Sequence, residues 1–146
     1  MNQEIIAKAA DVIQAKTGGI SGGMEGYAVL ALIDENGYPT ASTLTISKAD
    51  GIKWLTFLTG VESNKAKRIY KCNKGSVCLS SSAYNITLVG TLEVLTDADT
   101  KKEMWYEAMG AIMSSPEDPA LCVLRFNTER YSLFFADDGS AAEGIL

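Results

Sequence analysis

The chain contains no histidine in its 146 residues. That absence removes imidazole acid–base catalysis, Ser–His and Cys–His nucleophile pairs, and most zinc and haem ligation. Cysteine is sparse: Cys72, Cys78 and Cys122 are odd in number, and no two stand in C-x-x-C spacing. Reduced thiols in a cytoplasmic protein fit that usage. No stretch approaches the roughly 18 apolar residues of a membrane span, and no apolar segment follows a basic N-terminus, so neither anchor nor secretory leader is expected. Positive charge is also short, 13 Lys and Arg against 18 Asp and Glu, a net charge of −5. Binding nucleic acid in general requires a basic face that neutralises several phosphates, and none is expected here. Neither G-x-G-x-x-G nor a Walker A motif occurs. With these chemistries removed, any reaction is expected to belong to a bound cofactor.

What is present is an ordinary globular balance, 47% apolar and 21% charged, in a length that suits one domain over residues 1–146. Residues 2–17 read as an amphipathic helix carrying Ile5, Ile6, Ala9, Val12 and Ile13, ended by Gly18-Gly19. A glycine-rich loop is expected over Ile20–Gly26. Tyr27–Ile33 reads as a buried strand, Asp34-Glu35-Asn36-Gly37 as a hairpin turn, and Pro39–Ser47 as the return strand. A further turn at Lys48–Gly51 leads into a strand over Ile52–Thr59. Strands follow at Ser76–Ser82 and Ile86–Leu95 around an Ala83-Tyr84-Asn85 turn. Thr96 or Asp97 is positioned to cap a helix over Ala98–Met113, with Met104, Trp105, Ala108 and Ile112 on one stripe. Pro116 and Pro119 interrupt it. A last hairpin is expected from Leu121–Phe126 to Arg130–Ala136 across Asn127-Thr128-Glu129, followed by a polar tail over 137–146. Short links between strands imply antiparallel pairing, so the class is mainly β: a six- to seven-stranded antiparallel barrel, about residues 27–136, with covering helices.

The segment Thr56–Lys74 stands out. An apolar run turns into a short basic helix, about Ser63–Asn73, and Lys65, Lys67, Arg68, Lys71 and Lys74 crowd into it within an acidic chain. Ser63 is placed to be the N-cap, which puts Lys65 in the first turn, where a cation opposes the helix dipole. Backbone N–H groups, a hydroxyl and an ammonium converging at a helix start suit a phosphate. The helix is expected to pack through Ile69 and Tyr70. Its later lysines read as a solvated face, and Arg68 as free to turn either way.

The order of elements and the segments ENGYPTASTL, WLTFLTGVESNKAKRI, YNITLVGTLEV and PEDPALCVLRF resemble the pyridoxamine 5'-phosphate oxidase-like flavoproteins, and among them the short general-stress-protein branch. The resemblance spans about Tyr27–Phe135. It implies an FMN-binding split barrel and a homodimer with the cofactor at the interface, acting as an oxidoreductase on a small molecule. By position it implies that Ser42, Thr43, Leu44 and Thr45 run along the flavin and its ribityl chain, largely through backbone. It places Leu58 and Thr59 on the other side, Ser63, Asn64 and Lys65 at the phosphate, and Asn85 as an amide reaching from a neighbouring strand.

The departures carry information too. Ser42 and Ser47 stand where the family's oxidases have Arg and Lys, and Asn64 where they have Arg, so weaker FMN retention is expected. The Arg/His signature that grips pyridoxamine phosphate is absent, which argues against vitamin B6 oxidation, and haem degradation is disfavoured by the missing histidines. Two alternatives stay open: a non-catalytic dimeric flavin-binding stress module, and a deazaflavin-dependent reductase of the same fold. Trp105 or Tyr106 stacking on a flavin is weighed against a place in the core.

Overall fold

A computed structural model describes residues 2–18 and 26–146. All of the expected glycine-rich loop except Gly26 lies outside the described residues. Helix α1 (Asn2–Ala15) buries Ile5, Ala9 and Ile13, one residue per turn. It ends two residues before the expected Thr17, in a turn whose Gly18 has φ 82° and donates its N–H to the Ile46 carbonyl at 2.9 Å.

Strands β1 (Tyr27–Ile33) and β2 (Pro39–Thr45) form the expected hairpin. Asp34 makes its turn: one carboxylate oxygen accepts from the N–H groups of Asn36 and Tyr38, each at 2.9 Å. Next come β3 (Ala49–Asp50), β4 (Trp54–Gly60), α2 (Asn64–Lys71), β5 (Lys74–Ser80) and β6 (Tyr84–Leu95). Then follow α3 (Ala98–Met104), a 3-10 turn at Glu107–Ala111, β7 (Leu121–Phe135) and β8 (Ser140–Ile145). The eight strands are ordered β2-β1-β5-β6-β7-β4-β3, all pairs antiparallel, with β8 on β7.

β2 lies at one edge of this order and β3 at the other, yet they are consecutive in the chain. The linking residues therefore close the sheet. The Ser47 N–H donates to the Thr56 carbonyl at 2.8 Å, and the Thr56 N–H donates to the Lys48 carbonyl at 2.9 Å. Leu30, Phe57, Val77, Leu88, Leu124 and Phe126 fill the interior. The result is mainly β and antiparallel with covering helices, as the chain's pattern predicts, with eight strands where six or seven are expected, and it is the split barrel that the resemblance implies.

Several expectations are corrected. Asn127-Thr128-Glu129 is not a turn: β7 runs unbroken for 15 residues, because β6 pairs with it along nearly its whole length. The turn-like residues are absorbed by a β-bulge in which Glu129 is the extra residue between Val89↔Arg130 and Gly90↔Thr128. Residues 140–145 are not a polar tail. Beyond the bulge β7 no longer has β4 beside it, and β8 satisfies that edge. Its small residues hid the strand, though Gly144 has a packing reason: a Cβ there would stand 2.7 Å from Cζ of Tyr131.

Tyr84 and Asn85 belong to β6 rather than to the expected turn, and α2 ends at Lys71, two residues before the expected Asn73. α2 packs through Ala66 and Ile69, while Tyr70 is 69% exposed. The Ala98–Met113 helix is also cut short. Asp97 caps its start, accepting from the Thr100 N–H at 3.0 Å, but Trp105 and Tyr106 take extended conformations. The 3-10 turn that follows buries Met109 and leaves Ala108 and Ile112 exposed, so the proposed stripe does not form.

α1 is clasped to the β7–β8 turn by Lys8, whose ammonium lies 2.8 Å from Asp137 and 3.4 Å from Asp138. The Ser140 hydroxyl and N–H, with help from Lys8, hold the Asp138 carboxyl down at about 2. The Asp137 carboxylate chiefly raises the Lys8 ammonium.

Two stability predictions follow from this architecture. A Cβ at Gly90 would run into the Asn127 carbonyl, so Gly90→Ala should lose about 3 kcal/mol or more in urea unfolding. Gly110→Ala, with nothing near its Cβ, should stay within about 0.5 kcal/mol. For the clasp, a depressed carboxyl stabilises above its unfolded value of 3.8 and a raised ammonium below its unfolded value of 10.5. The stability difference between wild type and Lys8→Ala should therefore be flat across neutral pH. It should shrink as pH falls from about 4 towards 2, and again above about 10.

Candidate functional site

The closure at Ser47 also creates an opening. Once β2 has separated from β4 at the Ser47–Thr56 crossing, the two strands diverge, and a cleft of about 400 Å³ lies between them. Thr43, Leu44 and Thr45 form one wall, with Tyr27 of β1 beside them. Leu58, Thr59 and Gly60 form the opposite wall. Tyr106, Met109, Ile112 and Met113 supply a cover from the 3-10 turn and its flanks. Over Pro39–Thr45, β1 is the strand paired with β2 among the described residues, so alternate N–H and C=O groups of β2 face the split. Among the described residues, no lining side chain carries a formal charge at neutral pH. A hollow of about 480 Å³ exists beside Arg130 and Glu143, but it is a surface groove remote from these residues.

Beneath the cover lies a second small core. Leu58, Met104, Met109, Leu121 and Val123 are buried there, with Trp54 and Trp105 packed against them. Trp105 is thus a packing residue, and Tyr106 is the aromatic that reaches the cleft. Its hydroxyl approaches Thr45, and burial is the main reason its pKa is raised, with the Thr45 hydrogen bond opposing. It therefore stays protonated at neutral pH. Lys101 anchors the loop behind the cover: it is buried, and its ammonium donates to the Asp118 carbonyl at 2.7 Å. The Asp118 carboxylate accepts from the Ala120 N–H at 2.9 Å, and the Ala120 carbonyl accepts from Val61 N–H at 2.8 Å. Cover, loop and the β4–α2 junction are so tied into one unit. Burial pushes the neighbouring Cys122 thiol up to about 11, which keeps it protonated and unreactive.

The start of α2 follows Gly60 by three residues. Ser63 is its N-cap, the hydroxyl oxygen accepting from the Ala66 N–H at 3.2 Å. The Lys67 N–H is satisfied by the Ser63 carbonyl at 3.2 Å. The N–H groups of Asn64 and Lys65 then have no partner among the described residues, as expected for a first turn. The basic cluster divides by its partners. Lys67 lies 3.7 Å from Glu62; Arg68 lies 3.3 Å from Glu35 and donates to the Thr40 hydroxyl at 3.4 Å. Lys65 is half-buried and pairs with no carboxylate among the described residues. Arg68 thus turns to the β1–β2 hairpin, reaching Glu35 in its turn and Thr40 on β2.

Of the residues singled out from the sequence, Thr43, Leu44, Thr45, Leu58 and Thr59 share the cleft, while Ser63, Asn64 and Lys65 sit at the helix start beyond its Gly60 end. Ser42 is exposed on β2 outside the lining, in register with Leu30. Asn85 lines none of the cleft; it is exposed on β6 and accepts from the Thr87 hydroxyl at 3.1 Å. Ser47 does not face the cleft: it is 2% exposed and its hydroxyl is 2.7 Å from that of Thr56. Tyr27, Gly60, Met109, Ile112 and Met113 were not foreseen. Their only trace in the sequence is proximity to the walls, because the cover's path depends on the helix break at Trp105.

Comparison with solved structures supports the same architecture. A Clostridium acetobutylicum protein related to general stress protein 26, of the pyridoxinephosphate oxidase family, superposes with a TM-score of 0.82 at 19% identity, covering 100% of this chain and 97% of that one. General stress protein 26 from Bacillus anthracis gives 0.74 at 18% identity, covering 97% and 99%. A pyridoxamine 5'-phosphate oxidase-related, FMN binding protein from Nostoc punctiforme gives 0.62 at 16% identity, covering 99% and 94%. No curated protein sequence matches. The family model described as pyridoxamine 5'-phosphate oxidase like matches residues 24–145, and the chain belongs to that family.

Proposed function

We propose that this protein binds FMN in the split between β2 and β4 and acts as an oxidoreductase on a small molecule. One observation carries the reading: Thr43–Thr45 and Leu58–Thr59 face each other across a single cleft that leads to the start of α2. The donor set suits a flavin mononucleotide. Strand-edge backbone groups with the Thr43, Thr45 and Thr59 hydroxyls suit a ring system and a polyol. Two free N–H groups, the Ser63 hydroxyl and an uncommitted Lys65 suit a phosphate dianion. A structure similar in fold, the Nostoc punctiforme protein, is described as FMN binding.

When bound, the flavin supplies hydride or electron transfer. The chain's residues bind and orient it. β2 would fix the ring plane through its backbone, Lys65 would hold the phosphate, and the cover of Tyr106 and Met109 would keep water from one side. Among the described residues the cleft's titratable side chains are the phenols of Tyr27 and Tyr106, and no carboxylate, imidazole or amine lines it for proton transfer. That observation favours a second reading, a non-catalytic flavin-binding stress module. NAD(P)H reduction of bound flavin, followed by reoxidation with an acceptor, separates the two readings. Nothing in the cleft favours a deazaflavin over FMN, and competition between the two decides it.

A homodimer completes the proposal. The outward face of the sheet carries Val29, Cys78, Thr87 and Ser132 in one register row, with Phe134 nearby. Val29 is 38% and Phe134 45% exposed, apolar side chains that a second copy would cover, with Glu143 at the end of the same row beside Ser132. Asn85 lies on this face and would reach a flavin from there.

Titration of the protein with FMN, read by flavin fluorescence and absorbance, should show saturable binding; failure to bind would remove the proposal. Lys65→Ala should weaken FMN by about 1.5–3 kcal/mol, whereas Lys71→Ala should change it by less than about 0.5 kcal/mol. Light scattering on wild type should give twice the mass of the chain. Phe134→Asp should shift the mass towards monomer and reduce FMN affinity in parallel.

A further inference from the structure

We propose that the stretch from Trp105 to Met113 forms the substrate side of the cleft and admits a flat, uncharged, apolar ring compound. The inference rests on the flavin reading and adds the class of compound taken beside the flavin.

The two strand walls offer backbone and hydroxyl groups, whereas the cover is of different character. It exists because the chain leaves α3 at Trp105 (φ −62°, ψ 142°) and Tyr106 (φ −133°, ψ 151°), then re-coils over Glu107–Ala111. That path points Tyr106, Met109, Ile112 and Met113 at the cleft and leaves Glu107 exposed, outside the lining. Ile112 is 76% exposed at the rim, an apolar side chain that one chain alone leaves uncovered. The thioethers of Met109 and Met113 are polarizable and adapt to the edges and faces of aromatic rings. The one polar group the cover contributes is the Tyr106 hydroxyl, which donates to the Met109 sulfur at 3.6 Å. Kept protonated by its burial, it can instead donate to a carbonyl or nitro oxygen of a bound ring.

Charged compounds are disfavoured by what the cleft lacks. A carboxylate or ammonium entering it would lose water and meet no counter-charge among the described lining residues. The cations nearest the α2 end cannot serve. Lys67 and Arg68 are held by Glu62 and Glu35, and Lys65 is reserved for the flavin phosphate.

A matched pair of probes tests this. Methyl 4-nitrobenzoate and 4-nitrobenzoate share a ring and differ in charge. Each is titrated into FMN-loaded protein, following flavin fluorescence, and into flavin-free protein by calorimetry. The ester should bind at least about tenfold more tightly than the carboxylate, the loss on charging being that of an unpaired ion. Ile112→Lys, at an exposed position the fold tolerates, should erase or reverse the preference by about tenfold, while Ile112→Gln keeps it. Equal or tighter binding of the carboxylate, or an unchanged preference in Ile112→Lys, overturns the inference even where FMN binds normally. An ester preference in a protein that never binds FMN would support the cleft's selectivity and overturn the flavin reading instead.

Discussion

The crossing of Ser47 and Thr56 is the constraint on which the site depends. Two backbone hydrogen bonds and a 2.7 Å hydroxyl pair join Ser47 and Lys48, in the link between β2 and β3, to Thr56 on β4. Without that crossing the chain would form an open sheet with two exposed edges. With it, the barrel closes at one end and gapes at the other, because β2 can pair with β4 only where the strand bends between β2 and β3. The hydroxyl pair is buried and fully partnered: Thr56 also donates to Met104 at 3.4 Å, which links the crossing to α3 and so to the cover. Closure of the fold and opening of the cleft are thus one event, and the cover is built from the residues that follow the helix anchored there.

Where the sequence was readable, the reason was local chemistry. The Asp34 turn, the Ser63 and Asp97 caps and the one-per-turn burial in α1 are each decided within a few residues. The cleft walls were legible because strand segments in a given order carry the family resemblance. The misreadings are non-local. Asn127-Thr128-Glu129 has the composition of a turn, yet a long partner strand holds it extended, and the mismatch is discharged in a one-residue bulge against Gly90. Ser140–Ile145 has little intrinsic strand preference and is recruited by the edge that β7 exposes past that bulge. Trp105 has a helical pattern behind it, but it is drawn into the small core above Leu58 and Val123 and ends the helix there.

Charge explains a further division. From sequence alone Lys65 could be set apart at the helix start and the later lysines read as a solvated face, but Arg68 could turn either way. In the fold the members of this basic segment separate by what lies opposite. The β1–β2 turn brings Glu35 to Arg68, and Glu62 in the preceding loop reaches Lys67. Lys67 and Glu62 are exposed, and Arg68, itself partly covered, meets an exposed Glu35, so both pairs contribute little stability. Their effect is instead one of allocation. Neutralising Arg68 and Lys67 leaves Lys65 as the cation beside the free N–H groups of the first turn, at the end of α2 where the dipole itself favours an anion.

The missing histidine acquires a structural meaning in this setting. A cleft lined by hydroxyls, thioethers and two phenols has little capacity to move protons, but it is well suited to exclude water and to hold planar groups. On the proposed reading, chemistry there would be carried by what is bound, with selectivity set by desolvation rather than by recognition of charge. Ser47 illustrates the same economy. Where the resemblance implies a lysine in the family's oxidases, this chain has a small hydroxyl turned into the barrel, bonded at the crossing and outside the cleft lining. A lysine there would have to leave the crossing to find water, so the identity of that one residue sets both how tightly the barrel shuts and how little charge its opening presents.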